Sequence, residues 1–97
     1  MKKVFISGKI TGELIIPCVF KFKQAMLDEK IRDFGTRIHP FHLDVYFDIP
    51  HKEAMEICLK ELKTCSHIYM LKDWKESKGA KIEHQFAKDN GIKIIYL

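Results

Sequence analysis

Residues 3–12 read KVFISGKITG. Three consecutive apolar residues, Val4, Phe5 and Ile6, are closed by a loop with a glycine at each end. A short apolar run stopped in this way predicts a strand buried on both faces. Such strands belong to parallel sheets covered by helices, because an antiparallel strand with one wet face would alternate apolar and polar residues.

The rest of the chain fits that reading. A helix is expected after Pro17, with Val19, Phe22 and Met26 spaced i, i+3, i+7 and Gly35 as its stop. TRIHP (36–40) is a second strand ended by proline, and residues 41–50, FHLDVYFDIP, read equally as a strand or as a loop with a short turn. Residues 51–64 are helical, with Met55, Cys58, Leu59 and Leu62 making the apolar stripe and Lys52, Glu56 and Lys60 outside it. HIYML (67–71) is a third strand, Asn90-Gly91 closes a last helix, and IKIIYL (92–97) is a terminal strand. Strands alternating with helices imply a three-layer α/β/α sandwich, a flavodoxin- or Rossmann-like parallel sheet of four to five strands. Right-handed crossovers then place the first strand centrally, with the second and third on either side. A crevice opens where the chain changes direction, at the carboxyl ends of strands one and three, between SGKITG (7–12) and KDWKESKG (72–79).

The chain of 97 residues is expected to be one domain. No apolar run approaches the roughly 18 residues of a membrane span, and Val4-Phe5-Ile6 is too short for a secretion signal. A cytoplasmic protein without a membrane partner is the expectation. The three cysteines, Cys18, Cys58 and Cys65, form no regular framework and read as reduced, buried thiols. The net charge of +4 comes from lysines scattered among acids. That argues against a groove for polymeric nucleic acid and is compatible with a small phosphorylated ligand.

In the first loop, backbone amides of Gly8 to Gly12 and the Lys9 charge can face an anion, or the glycines can serve a tight turn. The loop has neither the dinucleotide nor the P-loop spacing. In DWKESKGAKIEHQFAK (73–88), Ser77 can cap the helix that begins near Gly79 or meet a phosphate there. A step of about 100° per residue sets Gly79, Ile82, Phe86, Ala87 and Asn90 on one face, with Glu83 in its middle. An unpaired buried carboxylate is costly. Glu83 therefore either pairs internally, with Lys9, a histidine or backbone amides, or faces the crevice, ionised beside the helix N-terminus. Trp74 can stack on a base or plug its loop. His39 and His42 have H-x-x-H spacing without a recognised set of zinc partners, so neither a metal nor a cofactor is expected. Cys58 reads as core, and the role of His67 is open.

VFISGKITG at the start and SHIYMLKDWKESKGAKIEHQFAKDNGIKIIY near the end resemble small bacterial and phage domains of unknown function related to the nucleoside 2-deoxyribosyltransferases. The resemblance covers about the first 12 and the last 43 residues and is sharpest in W-x-x-S-K-G-A-x-x-E. It implies a nucleoside or nucleotide ligand and a homo-oligomer, dimer or larger, with aromatic residues of 41–47 as a possible contact. The wider group includes 2'-deoxynucleoside 5'-phosphate N-hydrolases, in which an S-x-G-x-x-x-E run supplies a phosphate-binding serine and a nucleophilic glutamate. By that resemblance Glu83 is the catalytic residue. Ser7, Gly8, Lys9, Ile10, Thr11, Gly12, Asp73, Trp74, Ser77 and Gly79 are the substrate-binding set. The chain departs from the pattern at Cys58 and at Ser66, where acidic residues are usual, and at Thr11, where the hydrolases carry arginine. The departing base needs a proton, for which Asp73, Asp48 or a histidine could serve. The implied activity is N-glycosidase or deoxyribosyl transfer; the alternative is a binding protein that senses or sequesters a nucleotide-derived ligand, or an interaction protein with a vestigial crevice.

Overall fold

Alternation within the first strand organises the molecule. In β1 (Lys3–Ser7), Val4, Phe5, Ile6 and Ser7 are all fully buried, so both faces are covered. Val4 and Ile6 point to one side of the sheet, Phe5 and Ser7 to the other. The computed structural model describes residues 2–43 and 50–97. Within them, α1 (Ile15–Ala25), β2 (Thr36–Ile38), a 3-10 turn (Pro40–Leu43), α2 (His51–Leu62), β3 (His67–Met70), a second 3-10 turn (Trp74–Glu76), α3 (Lys78–Asp89) and β4 (Lys93–Tyr96) follow in order.

The four strands form one parallel sheet in the order β2-β1-β3-β4, with Val4 opposite both Arg37 and His67. The expected α/β sandwich is present, and the first strand lies between the second and third. Val4, Ile6, Tyr69 and Leu71 pack with Cys18, Phe22 and Ala25 of α1 on one face. Phe5, Ile68 and Met70 pack with Cys58 and Leu62 of α2 and Ala80 and Ala87 of α3 on the other. Each fully buried large side chain contributes about 1.5–3 kcal/mol, so both cores depend on this count of residues along β1 and β3.

The helices differ in detail from their expected extents. The first begins before Pro17, at Ile15, because proline in the first helical turn gives up only an N–H that has no intrahelical partner. It ends at Ala25, ten residues before Gly35. Asp28 takes over there, accepting from the Lys30 amide at 2.8 Å and the Tyr69 hydroxyl at 2.6 Å, and turns replace the helix. Its buried line is Cys18, Phe22 and Ala25, with Val19 and Met26 half-buried beside it. In α3 the buried line is Ala80, Glu83 and Ala87, while Ile82 is exposed and Asn90 instead closes the helix by donating to the Phe86 carbonyl. Gly91, with φ of +68°, then carries the chain into β4. All three cysteines are buried and free. No helix among the described residues is long and apolar enough to cross a membrane.

Candidate functional site

The crossover from β1 through α1 to β2 leaves to one side, and β3 lies on the other, so the β1–β3 boundary is the point where the chain reverses. Ser7 is the last residue of β1 and continues the Phe5 face, which turns its hydroxyl towards α3. There Ser7 Oγ donates to Glu83 Oε1 at 2.5 Å in a fully buried contact. Glu83 sits one turn inside α3, 5% exposed, on the line between Ala80 and Ala87. The Cys58 thiol of α2 lines the crevice beside the same carboxyl.

Burial sets the charge of this group. It pushes Glu83 up to about 7, although the hydrogen bonds from Ser7 and Cys58 pull the other way. Glu83 is thus divided between acid and carboxylate near neutral pH, rather than standing ionised as its place near the helix N-terminus suggested. Desolvation outweighs the helix dipole. Burial and the neighbouring Glu83 raise Cys58, which stays a thiol.

Glu83 forms one wall of a crevice of about 70 Å³. At roughly 10–15 Å³ per enclosed water, that is room for a ring-sized group. Gly8 and Ile10 of the first loop line it, as do Ser77 and Gly79 at the start of α3. Five of the expected site residues therefore meet here, with Ser7 directly behind the carboxyl. Gly79 leaves the space between the walls open, and Gly8 lets the first loop pack closely on Leu71. A Cβ on Gly8 would lie 2.5 Å from Leu71 Cδ1, and one on Gly79 would lie 3.1 Å from Met55 Sδ. Ser77 Oγ accepts from the Ala80 amide at 3.1 Å, so it caps α3 while also facing the crevice.

The other expected residues lie outside the lining. Asp73 accepts from the Lys9 amide at 3.0 Å and pairs with Lys21 at 2.7 Å, while Lys21 also donates to the Lys9 carbonyl. Together they clasp the first loop to the loop after β3. Thr11 and Gly12 are exposed, with Gly12 at φ +83°. Trp74 stacks on His84, ring centroids 4.1 Å apart. Among the described residues that line the crevice none is lysine or arginine.

The opposite wall comes from α2, and there sequence reasoning missed His51 and Met55. A signal was available: His51, Met55, Cys58 and Leu62 continue one helical stripe at i, i+4, i+7 and i+11, which brings the imidazole to the same side as Cys58. A Cβ on Gly79 would be 3.7 Å from His51 Nε2, so the ring lies against the α3 N-terminus. His39 and His42 stack on each other at 3.7 Å, and the His39 amide donates to His42 Nδ1. Burial pushes His39 down to about 4, so it is neutral, and its Nδ1 has no partner among the described residues. His67 packs edge-on against Phe34. Phe41 is buried rather than exposed, and residues 44–49, with Asp48, Tyr46 and Phe47, lie outside the described residues.

These features define a Rossmann-like α/β protein with a carboxyl-bearing crevice at the switch point of its sheet. The chain belongs to the family described as domain of unknown function DUF4406, whose model matches residues 2–96. No curated protein and no solved structure gives a significant match.

Proposed function

We propose that the crevice binds a nucleoside or nucleoside 5'-phosphate and that Glu83 is the nucleophile of an N-glycosidase or deoxyribosyl transferase. The observation that carries this reading is the Glu83 carboxyl itself, held by Ser7 in the wall of a ring-sized crevice. The S-x-G-x-x-x-E spacing of Ser77, Gly79 and Glu83 and the resemblance to deoxyribosyltransferases support it. In this mechanism the ionised Glu83 attacks the anomeric carbon as the bond to the base breaks, and that bond's electron pair leaves on the base nitrogen. His51 supplies the proton to that nitrogen, being the imidazole on the facing wall. Asp73 is engaged by Lys21 and the Lys9 amide. Water, or a second base, then opens the glycosyl ester and Glu83 is regenerated. The ligand is a small molecule, and a homo-oligomeric state accompanies the reading.

A second reading, a binding protein that senses or sequesters a nucleotide-derived ligand, is favoured by two observations. Burial holds Glu83 only partly ionised, and Cys58 stands where the resembling hydrolases carry an aspartate. Losing a general acid lowers rate by roughly 10²–10⁴-fold. Incubation with deoxynucleosides and their 5'-monophosphates, with chromatography of released base and calorimetry of binding, separates the readings. Base release above the Glu83→Gln background supports the enzyme. Binding without release supports the second reading, and neither release nor binding across the panel sinks both.

A further inference from the structure

Among the described residues no ion pair reaches Glu83, although its carboxyl is 5% exposed. A carboxylate taken out of water has to be paired or neutralised. For the chain alone a proton does this, and the crevice in front of the carboxyl offers a second way. Its volume of about 70 Å³ amounts to about five to seven enclosed waters, the size of one five- or six-membered ring. Among the described residues the lining holds no lysine, arginine, phenylalanine, tyrosine or tryptophan, and Ile10, Pro40, Ala54, Met55 and Ala80 make it largely aliphatic. Such walls suit a saturated ring better than a flat one, and by excluding water they strengthen a charge pair. A metal ion fits poorly, since no group of three or more potential metal ligands occurs among the described residues. The α3 amino terminus favours an anion, but its pull falls off within the first turn, and Ser77 takes up the Ala80 amide.

We propose that the crevice receives a saturated ring bearing a positive charge, a cyclic ammonium of five or six ring atoms, with Glu83 as its counter-ion. Binding exchanges one positive charge for another: the ring enters and the Glu83 proton leaves to solvent. From the elements around it, Glu83 meets Ser7 of β1, Cys58 of α2 and, across the crevice, His51 of α2. Its neighbours along the buried line of α3, Ala80 and Ala87, are uncharged, as are Gly8, Ile10 and Pro40. Cys58 stays a thiol, so the negative charge that meets the ring is that of Glu83, and His51 is the imidazole that competes with it. The inference rests on the reading of the crevice as a ligand site and not on turnover. In the proposed reaction a sugar gains such charge only as its bond to the base breaks, whereas here the resting ligand carries it.

Pyrrolidinium is the probe, and tetrahydrofuran is its neutral counterpart of the same ring size. Titration of each into the full chain from about 0.1 to 50 mM, followed by NMR of Ala54, Met55 and Ala80, reads the affinity. Pyrrolidinium is expected to shift these resonances and to bind about tenfold more weakly at pH 6 than at pH 8, as Glu83 takes its proton back. Tetrahydrofuran should gain nothing from the rise in pH. Glu83→Gln should weaken pyrrolidinium at pH 8 by about tenfold or more, while His51→Asn should keep the pH dependence. Should Glu83→Gln unfold, calorimetry of the parent chain carries the test: near pH 6, in buffers of different ionisation heat, binding should release about one proton. The proposal is overturned if tetrahydrofuran binds as well as pyrrolidinium at pH 8, if folded Glu83→Gln binds pyrrolidinium as the parent does, or if no proton is released. It is equally overturned if inorganic phosphate moves these resonances and pyrrolidinium does not. Base release from a deoxynucleoside without pyrrolidinium binding removes this inference and leaves the proposed activity standing; pyrrolidinium binding without base release does the reverse.

Discussion

Replacing Glu83 by glutamine should change how stability depends on pH. Moving this carboxyl from its ordinary 4.5 to about 7 corresponds to about 3 kcal/mol, at about 1.4 kcal/mol per factor of ten. Between those two values the folded chain keeps a proton that the unfolded chain has released. Glu83 therefore contributes stability that is complete below pH 4.5 and lost as pH rises through about 7. Glutamine stays neutral throughout and can still accept from Ser7. The advantage of Glu83→Gln over the parent chain should thus grow by about 3 kcal/mol between pH 4 and pH 8. His39 acts in the opposite sense. Its value lowered to about 4 gives stability that is present above pH 6.5 and lost as pH falls towards 4. The difference between variant and parent cancels that contribution, so urea unfolding of both proteins at several pH values reads Glu83 alone. Two profiles that stay parallel to within about 0.5 kcal/mol would refute the reasoning. The expected result means that the chain keeps a destabilising carboxyl at neutral pH.

Ser7→Ala removes a donor that holds the Glu83 value down, so Glu83 should titrate above about 7. Stability should fall by about 1–3 kcal/mol for the unsatisfied buried group, with the carboxyl ¹³C shift against pH and urea unfolding as the measurements. Gly8→Ala forces a methyl to within 2.5 Å of Leu71 Cδ1. Overpacking of that kind costs about 1–3 kcal/mol, and an unchanged thermal midpoint would contradict the close approach.

The parts of the fold that were legible in the sequence are those that burial writes strongly. Val4-Phe5-Ile6 identified a doubly covered strand, and alternation of strands and helices then left few ways to arrange the sheet. The boundaries were less legible. Asp28 ends α1 through a hydrogen bond from Tyr69, 41 residues away, and no local pattern announces such a partner. The face of α3 was placed one residue off because Ile82 and Phe86 outweigh Ala80 in any hydrophobic count, whereas close packing against α2 favours the small residue. At the site, Glu83 was conspicuous as a carboxyl among apolar neighbours. Its charge state was not, because desolvation depends on what α2 and β1 bring to it. His51 escaped notice because a histidine opening a helix, exposed as this one is, gives no sign in the sequence of the wall it faces.

Ser7 reaches Glu83 by parity: it is two residues after Phe5 and so falls on the same side of the sheet. Inserting or deleting one residue in β1 would exchange the two faces, moving the hydroxyl under α1 and emptying both cores together. The hydroxyl–carboxyl pair is thereby tied to the viability of the whole chain. The loops that rim it reach the cores only at their edges, Ile10 against one and Trp74 against the other. Lys9, Thr11, Lys75 and Glu76 are not among the buried residues, so substitutions there can accumulate while the buried end of the crevice stays where the strand count puts it. The molecule is built as a chassis, free to drift at the rim without rebuilding the pair beneath.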